Sequence, residues 1–438
     1  MRISINPQFR ASILASILAS ILASILASIL ASILASILAL IFLVPSLAQT
    51  QSSPTPEGGQ TKKEKKAEAK RKGGLVAEQE ARTEPGAIST SQLALPFKRA
   101  WQYLTDGATS FAPAVDDARI YLPLAGGRVV CMDRQTGTSL WTGELGGVIT
   151  ASPAAGESSV YISTHKIADD GSEAGGSLRA VDKATGLTVW VKDYPRPFAS
   201  PLELGAERLY AGSEDGSLYA LDLKNGDIVW KVDTQGVVHS RVLANGEMVY
   251  FGSDDGGLRA VEPVRGQLLW KFQAGGKVVG QPAIDERSLY FGAGDGYLYS
   301  IDRVTGKLRW RSRTGAAVEA TPVVAGGRVL VASFDNFVYA LSRATGDRIW
   351  KRRLENRIAS APIVEGDASL VAPLRGDYVA VLLNSDGRRV NLFQLEKDFE
   401  IVADPVVFGE MLVVATNKGL VVAAASRPEG SQTRAIKK

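Results

Sequence analysis

The chain has very little of the chemistry that builds metal centres and disulfides. Its 438 residues include one cysteine, Cys131, and two histidines, His165 and His239. A single thiol excludes a disulfide within the chain. Two imidazoles do not fill a metal site, and no carboxylate cluster accompanies them. We therefore predict no metal ion.

Most of the chain also lacks an excess of either charge. Residues 98–438 carry forty Lys and Arg against forty Asp and Glu, so the net charge of +4 belongs to residues 1–97. Nucleic-acid binding relies on positive charge that neutralises phosphates. The balance gives no support for nucleic acid as a partner, and we predict none.

The N-terminal region is apolar and repetitive. Seven copies of ASIL fill residues 11–38, two arginines precede the apolar run, and a small-x-small pattern ends at Ala48. These features are typical of a secretory signal peptide, although such a core is usually about 7–15 residues long. We predict that residues 1–48 export the protein to the periplasm or cell envelope, with cleavage after Ala48. An uncleaved membrane anchor is the alternative.

Two segments have too few apolar residues to form a core. Residues 49–97 include TKKEKKAEAKRKGG, with seven positive and two negative charges between positions 62 and 72. We predict a disordered basic linker there and a disordered tail at 426–438. The linker is interpreted as a solvated spacer, and contact with anionic lipid headgroups or cell-wall polymers is the alternative.

The remaining sequence repeats at a fixed period. Five of the six intervals between tryptophans are forty residues and one is 49; the positions are Trp101, Trp141, Trp190, Trp230, Trp270, Trp310 and Trp350. A second marker is an opening strand with a proline, at Pro113, Pro153, Pro201, Pro282, Pro322, Pro362 and Pro405, and Arg241 takes this position once. The two markers together define eight units.

Each unit contains four short β-rich runs, such as PLEL, RLYAGS, SLYALD and DIVWKV between residues 201 and 232. Dipeptides such as Asp215-Gly216 join the second run to the third and predict two-residue hairpin turns with positive φ. Four antiparallel strands in about forty residues are typical of a β-propeller blade.

The last unit is incomplete at its own end of the chain. ADPVVFGEMLVVATNKGLVVAAA supplies three strands, and FKRAWQYL around Trp101 supplies the fourth. An N-terminal strand that completes the last blade closes the ring and removes exposed edges. We predict an all-β, eight-bladed propeller over residues 98–425.

One phrase points to a particular propeller family. Ala-x-Asp-x-x-Thr-Gly-x-x-x-Trp spans Ala180–Trp190 and recurs with single changes at Ala220–Trp230 and Ser300–Trp310. It resembles the tryptophan-docking motif of pyrroloquinoline-quinone-type (PQQ-like) eight-bladed propellers. The resemblance implies that each indole lies against the small residue and the turn glycine of a neighbouring blade, as a staple between sheets.

Two residues depart from this phrase. Cys131 takes the small-residue position of the first motif, and we interpret it as a compact buried residue. Blade 7 has no tryptophan, and Phe393 is predicted to substitute for it.

The same resemblance raises the question of catalysis. PQQ-dependent dehydrogenases share this propeller, and the family resemblance implies a vicinal cysteine pair, an aspartate base and calcium ligands at the ring centre. The chain has no such cysteine pair. Polar residues expected near the channel mouth are interpreted as the lining of a wet shaft: His239, Glu319, Arg357 and Asp404. We predict no enzyme and no cofactor, with a PQQ-binding dehydrogenase or sensor domain as the alternative.

Two surface features are interpreted as structural. The insertion HKIADDGSEAGG in blade 2 lacks the spacing of acidic residues that calcium loops use. A basic run on the outer strands and inter-blade turns of blades 5 to 7 is interpreted as protection of sheet edges, in preference to a polyanion site. It comprises Arg309, Arg311, Arg313, Lys351, Arg352, Arg353 and Arg357.

The size, the eight blades and the recurring phrase also resemble BamB-like proteins of outer-membrane β-barrel assembly. The resemblance implies a scaffold whose partner is an envelope protein, either the β-barrel assembly machinery or unfolded outer-membrane proteins. In that family, loops entering the middle blades make the contact. The equivalent loops here are Asp233–Arg241 and Gln273–Pro282, with candidate partner-binding residues Val237, His239, Arg241, Lys277 and Val279.

Overall fold

The structure is a computed structural model that describes residues 97–105, 108–109, 111–168, 171–409 and 411–425. The predicted signal segment, the basic linker before Phe97 and the C-terminal tail lie outside these residues. Within the described part of the chain, no helix has the length and apolar character needed to cross a bilayer.

The described residues form eight four-stranded antiparallel sheets arranged as the blades of a propeller ring. Blades 1 to 4 contain, from the innermost strand outward, β2 (Ala114–Val115), β3 (Arg119–Leu124), β4 (Arg128–Asp133) and β5 (Ser139–Glu144); β6 (Ala154–Ala155), β7 (Ser159–Ile167), β8 (Glu173–Asp182) and β9 (Thr188–Tyr194); β10 (Glu203–Leu204), β11 (Arg208–Gly212), β12 (Ser217–Asp222) and β13 (Ile228–Asp233); β14 (Leu243–Ala244), β15 (Val249–Gly252), β16 (Gly257–Val261) and β17 (Leu268–Gln273).

Blades 5 to 8 follow the same order, and blade 8 takes its outermost strand from the other end of the domain. Their strands are β18 (Ala283–Ile284), β19 (Ser288–Gly292), β20 (Tyr297–Asp302) and β21 (Leu308–Arg313); β22 (Val323–Ala325), β23 (Arg328–Ala332), β24 (Phe337–Ser342) and β25 (Arg348–Arg353); β26 (Ile363–Glu365), β27 (Ala368–Val371), β28 (Tyr378–Leu383) and β29 (Arg389–Gln394); β30 (Val406–Phe408), β31 (Met411–Thr416), β32 (Gly419–Ala425) and β1 (Phe97–Leu104).

The predicted closure of the ring is confirmed. β1 pairs antiparallel with β32, and Trp101 stands opposite Val422. The strand order of this blade is β1-β32-β31-β30, so both ends of the propeller domain meet in one sheet. The backbone groups of β32 form hydrogen bonds with a strand more than three hundred residues away in sequence, so the terminal blade has all four strands.

The core lies between adjacent blades. Second and third strands are nearly continuous in buried apolar side chains, as in β12 and β19. A typical cluster joins Tyr210 and Leu218 of blade 3 to Val249 and Phe251 of blade 4. Each sheet is therefore buried on both faces by its neighbours, which explains why the central strands do not alternate polar with apolar residues.

In blades 3 to 6 the turns between second and third strands differ from the predicted two-residue hairpins. β11 ends at Gly212 and β12 begins at Ser217, so four residues form the loop, and the amide of Gly216 donates to the carbonyl of Ser213 at 3.2 Å. Gly216 alone adopts a positive φ, +80°. The Asp side chain instead accepts hydrogen bonds, here from the amide of Ser217, which is the usual role of Asp in such loops.

Candidate functional site

The seven tryptophans are inter-blade contacts. The indole of Trp190 in blade 2 lies over Gly226 in the turn of blade 3, and a Cβ on residue 226 would stand 2.7 Å from the ring. Each of the other six indoles lies over the turn glycine of the next blade in the same way, beginning with Trp101 over Gly137 of blade 1 and ending with Trp350 over Gly387 of blade 7. The aromatic rings are thus occupied in holding the ring together.

The small residue of the motif lies in a different place from the one predicted. Ala180 pairs across the hairpin with Trp190 of its own blade, and Cys131 pairs in the same way with Trp141. The antiparallel register brings these two motif positions face to face, so six of the indoles lie between their own blade's small residue and the next blade's glycine, and Trp101 stands opposite Val422. The prediction that both belong to a neighbouring blade was wrong for the small residue.

Hydrogen bonds fix the orientation of most of these indoles. Nε1 of Trp141 donates to the carbonyl of Lys183 at 2.9 Å, and Nε1 of Trp230 donates to the carbonyl of Pro263 at 2.9 Å. Nε1 of Trp270 is buried without a partner among the described residues. The carbonyl at the equivalent position, that of Arg303, accepts from the hydroxyl of Tyr250 at 3.3 Å instead.

Blade 7 does not use Phe393 in place of tryptophan. The register that pairs Ala340 with Trp350 in blade 6 pairs Val381 with Asn391 in blade 7. Phe393 lies two residues further along, is buried, and packs edge-on against Phe97 of blade 8 with ring centroids 6.3 Å apart. It contributes to the contact between blades 7 and 8 from another register position.

Cys131 is fully buried on β4, opposite Trp141. Burial raises the pKa of its thiol to about 12, so the sulfur stays protonated at neutral pH. A buried thiol of this kind is inert, which agrees with its interpretation as a packing residue.

A cavity of about 500 Å³ lies in the central channel of the propeller. It is lined by residues of all eight blades: Phe111, Ala112, Ser152, Ala199, Pro201, His239, Arg241, Asp254, Lys277, Val279, Gly280, Gln281, Glu319, Ala320, Thr321, Ala359, Val402, Ala403 and Asp404. Four of the five predicted partner-binding residues lie here.

The fifth, Val237, lies outside the lining and is half-buried; its carbonyl accepts from the amide of Asp254 at 3.0 Å. The two predicted loops connect β13 to β14 and β17 to β18, the junctions that enter blades 4 and 5. Both loops therefore run from the outer edge of one blade to the channel wall of the next.

Strand register places Arg241 in a ring of channel residues. Leu243, two residues later, pairs with Tyr250, and the equivalent pairing gives Pro201, Gln281 and Asp404 in blades 3, 5 and 8. The residue of blade 3 that aligns with Arg241 is thus Pro201. In blade 5 and several other blades the opening-strand proline, such as Pro282, stands one position later, so Arg241 replaces a proline only by comparison with blade 3. Arg241 and Asp404 come from blades 4 and 8, which are opposite in a ring of eight.

Most of the charged groups at the channel are paired. Nζ of Lys277 lies 2.8 Å from Oε1 of Glu319, and Nδ1 of His239 lies 3.1 Å from Oδ2 of Asp254. The guanidinium of Arg241 is more loosely held, with Nε 3.9 Å from Oε2 of Glu203. The side chains of His239, Arg241 and Lys277 keep close to half of their surface exposed, so they remain accessible to a partner.

Two channel carboxylates are disfavoured as anions. Burial raises the pKa of Glu203, and enclosure by the blades raises the pKa of Asp404, although its side chain is exposed to the channel lumen. Arg241 opposes both shifts. Sequence reasoning named Asp404 but missed Glu203 and Asp254, because neither stands out from the acidic residues of the repeat.

Arg357, the remaining polar residue predicted near the channel, does not line it: its guanidinium lies over the ring of Phe334, 5.6 Å from the centroid. The second histidine, His165, is on β7 of blade 2, whereas His239 is in the loop that enters blade 4. Asp169 and Asp170 of the blade 2 insertion lie outside the described residues, and the insertion lengthens β7 and β8 to nine and ten residues.

The residues of the channel do not fit a PQQ site. Among the residues that the structure describes, no group of three His, Cys, Asp or Glu side chains is placed to hold a metal ion. The one thiol is sealed between blades, and Phe111 is the aromatic ring in the channel lining. The acidic groups Glu319 and Asp254 are already paired with basic side chains.

Blade 4 carries one further departure from the repeat. Tyr219 and Tyr299 donate to the turn aspartates Asp215 and Asp295, each at 2.5 Å. The equivalent residue of blade 4 is Arg259, which is buried and forms an ion pair with Asp255. Oδ2 of Asp255 also accepts from the amide of Gln235, so the pair anchors the loop that leads to His239.

Comparison with known proteins gives one family and a shared fold. The family model described as outer membrane protein assembly factor BamB matches residues 70–196, 174–280 and 254–436. No curated protein matches the chain. Among solved structures, BamB from Moraxella catarrhalis is similar with a TM-score of 0.65 and 19% identity, over 75% of this chain and 100% of that chain.

Two other structures share the fold. The computationally designed Ika8 protein is similar with a TM-score of 0.63 and 16% identity, over 74% of this chain and 98% of that chain. The quinohemoprotein alcohol dehydrogenase ADHIIG from Pseudomonas putida HK5 is similar with a TM-score of 0.64 and 13% identity, over 80% of each chain. At such identities these likenesses concern architecture. Because the family model matches well over half of the chain, the protein belongs to the family of the outer membrane protein assembly factor BamB.

Proposed function

We propose that the protein is an exported, non-catalytic scaffold of the cell envelope that binds a protein partner through the loops entering blades 4 and 5. The observation that carries this proposal is the convergence of His239, Arg241, Lys277 and Val279 on one cavity wall. They come from two consecutive inter-blade loops, and three of them present exposed cationic or titratable groups beside an apolar residue. Such mixed patches are typical of the rims of protein interfaces.

The partner that fits best is a component of outer-membrane β-barrel assembly. The family description supports this class, and the position of the loops, which is equivalent to that of the docking loops of BamB-like proteins, points to the barrel-forming subunit, although Lys277 departs from the acidic groups expected there. Unfolded outer-membrane proteins are the second partner that the family suggests. The charges at the loops favour a partner surface with both acidic and basic groups, because Lys277 and His239 each stand beside a carboxylate.

Site-specific photocrosslinking in the native envelope tests this proposal. A photoreactive residue replaces Val279 at the channel wall or Val189 on the outer strand of blade 2, where the side chain is 59% exposed. We expect position 279 to crosslink to the barrel-forming subunit and position 189 to give no such product. Equal yields at the two positions would contradict a site at these loops.

Substitution of the exposed basic side chains of the two loops provides the second measurement. His239→Ala, Arg241→Ala and Lys277→Ala together should lower the crosslink yield from position 279 at least tenfold while leaving the thermal midpoint within a few degrees. Replacement of Lys192 and Lys231, on the outer strands of blades 2 and 3, is the matched control. Loss of binding in the control alone would place the interface elsewhere.

The enzyme alternative has its own test. A ligand that binds only the folded state must raise the thermal midpoint. We expect PQQ with calcium to leave the midpoint unchanged, since the channel residues do not fit that cofactor. A rise that depends on both PQQ and calcium would replace the scaffold by a quinoprotein.

A further inference from the structure

The outermost strands carry a net positive charge on one half of the ring only. The outer strands of blades 5 to 8, namely β21, β25, β29 and β1, carry ten Lys and Arg and no Asp or Glu. The outer strands of blades 1 to 4, namely β5, β9, β13 and β17, carry three of each sign. We call the first set the basic rim. Four consecutive blades make it one continuous half of the outer edge.

The cations of the basic rim are mostly free of carboxylates. Among the described residues, Arg309 pairs with Asp302, and Arg99 pairs with Glu396. No carboxylate of the described chain lies within 4.0 Å of the side-chain nitrogens of Arg313, Lys351 or Arg353, although all three side chains are exposed. Their charge is therefore available to an external anion.

The opposite rim is neutralised by its own acidic groups. Lys192 of β9 pairs with Asp227 at 2.6 Å, and Lys231 of β13 pairs with Asp233 at 3.0 Å. Lys271 of β17 lies 3.7 Å from Asp255. These three lysines occupy outer-strand positions comparable to those of the basic rim, so the two halves differ in charge rather than in architecture.

Aromatic side chains hold some of the free cations in place. Nζ of Lys351 lies 4.4 Å from the ring centroid of Phe337, and the guanidinium of Arg311 lies 4.9 Å from that of Tyr297. Cation–π contact of this kind fixes a charge without neutralising it. The rim thus presents partly ordered positive groups rather than loosely extended side chains.

Exposed apolar residues do not favour the basic rim. Four large apolar side chains are exposed on its strands β21, β25, β29 and β1, against seven on β5, β9, β13 and β17 of the other half. Hydrophobic attraction alone would therefore turn the other half of the propeller towards a membrane. Charge is the property that favours the basic rim.

The asymmetry extends through whole blades. Residues 105–272, which form blades 1 to 4, contain 15 Lys and Arg and 22 Asp and Glu. Residues 273–425 together with 97–104, which form blades 5 to 8, contain 21 Lys and Arg and 17 Asp and Glu. The domain total of 36 Lys and Arg against 39 Asp and Glu hides a negative half and a positive half, and a charge separation of this size orients a protein in an external field.

We propose that the basic rim docks against an anionic lipid bilayer surface and sets which edge of the propeller faces the membrane. Breadth favours a bilayer, because the free cations are spread over adjacent outer strands and not gathered in a groove that would fit one chain. Chain entry favours it as well. The sequence with the basic linker and the apolar ASIL repeats joins the ring at Phe97, on the outer strand of blade 8 and inside the basic rim.

Lipid-headgroup quenching on the full chain tests this orientation. Ile349 of β25 and Val189 of β9 have the same place before their tryptophans and lie on opposite blades, 6 and 2. Each is changed to cysteine separately and labelled with a fluorophore, while the buried Cys131 stays unreactive. The vesicles contain phosphatidylcholine with 0 or about 30% phosphatidylglycerol and a nitroxide headgroup lipid.

We expect quenching at position 349 to exceed quenching at position 189 at least threefold with phosphatidylglycerol. The difference should disappear with phosphatidylcholine alone and at about 0.5 M salt, since screening is then strong. Both labelled variants retain the full chain, so membrane attachment through the N-terminal segment affects the two measurements alike. Equal quenching, or stronger quenching at 189, would overturn the proposal even if both proteins bind the vesicles.

Charge removal gives a second, independent arm. Arg311→Gln, Arg313→Gln, Lys351→Gln and Arg353→Gln together should lower the quenching at position 349 about tenfold, given the attraction of each cation to an anionic surface. The matched control replaces Lys192, Arg196, Lys231 and Lys271 with Gln and should leave quenching unchanged. If the rim variant instead loses the Val279 crosslink and keeps its quenching, the rim is a protein interface and the proposal is wrong.

Discussion

Trp230 of blade 3 lies directly over Gly266 of blade 4. A Cβ on residue 266 would stand 2.6 Å from Cδ2 of the indole, and Gly266 adopts φ +69°. The glycine is thus required for two separate reasons, the left-handed backbone and the closeness of the ring. Equivalent contacts recur around the propeller, so the recurring motif of the family records the residues through which one blade packs against the next.

The steric part of this requirement can be isolated. Gly266→Ala should lower the free energy of unfolding by about 2–4 kcal/mol, because the new methyl group displaces Trp230 in addition to straining φ. Gly246→Ala is the control, since Gly246 has φ +85° but open space where the methyl group of an alanine would lie. Its loss should be about 1 kcal/mol. Urea denaturation measures both, and equal losses would contradict a tight indole contact.

The hydrogen bonds of the indoles predict unequal effects of the same substitution. Nε1 of Trp310 donates to the carbonyl of Arg343 at 3.1 Å, whereas Nε1 of Trp270 is buried without a partner in the described chain. Trp310→Phe should therefore cost about 1 kcal/mol more than Trp270→Phe, which removes an unsatisfied donor. Both changes lose similar apolar area, so the difference between their denaturation midpoints reports the hydrogen bond.

The buried ion pair of blade 4 should be sensitive to loss of one partner. Arg259→Ala leaves the carboxylate of Asp255 buried and should cost about 3–5 kcal/mol. Arg259→Tyr reproduces the arrangement of Tyr219 in blade 3 and should recover most of that loss. A tyrosine variant as unstable as the alanine variant would mean that blade 4 cannot use the tyrosine arrangement.

The pH dependence of that pair has a definite sign. Although burial opposes ionisation, hydrogen bonds and the charge of Arg259 hold the pKa of Asp255 below its usual value. Its contribution to stability is therefore complete above the unfolded-state pKa of about 3.9 and is lost as the pH falls towards the lower folded-state pKa. The gap between wild type and Arg259→Ala should be full at pH 7 and should narrow in strong acid.

Asp404 should behave in the opposite way. The pKa of Asp404 is raised, so its ionisation at neutral pH destabilises the folded state. With respect to this group, the free energy of unfolding is at its full value below about pH 3.9 and decreases as the pH rises through the folded-state pKa. Asp404→Asn should raise the thermal midpoint at pH 7.5 and leave it unchanged at pH 3. Asp117→Asn, at an exposed position of blade 1, is the control and should have no effect at either pH.

Much of the architecture is readable from local patterns. The forty-residue period, the four runs per unit and the turn glycines are properties of hairpins, whose hydrogen bonds join residues close in sequence. The unfinished eighth unit and the spare strand at Trp101 likewise predicted the closure that β1 and β32 make. The loops that enter blades 4 and 5 were also identified, because their place follows from the order of the strands.

Contacts between blades could not be read in the same way. The motif spacing from Gly387 places Asn391, and not Phe393, in the tryptophan position of blade 7. It does not show the contact of Phe393 with Phe97 of blade 8, which joins strands far apart in sequence. Arg241 and Asp404 share a channel level only after the ring has closed and brought opposite blades together. The basic run of blades 5 to 7 is readable in the sequence, but only the closed ring sets β21, β25, β29 and β1 along one half of the outer edge, opposite the outer strands of blades 1 to 4.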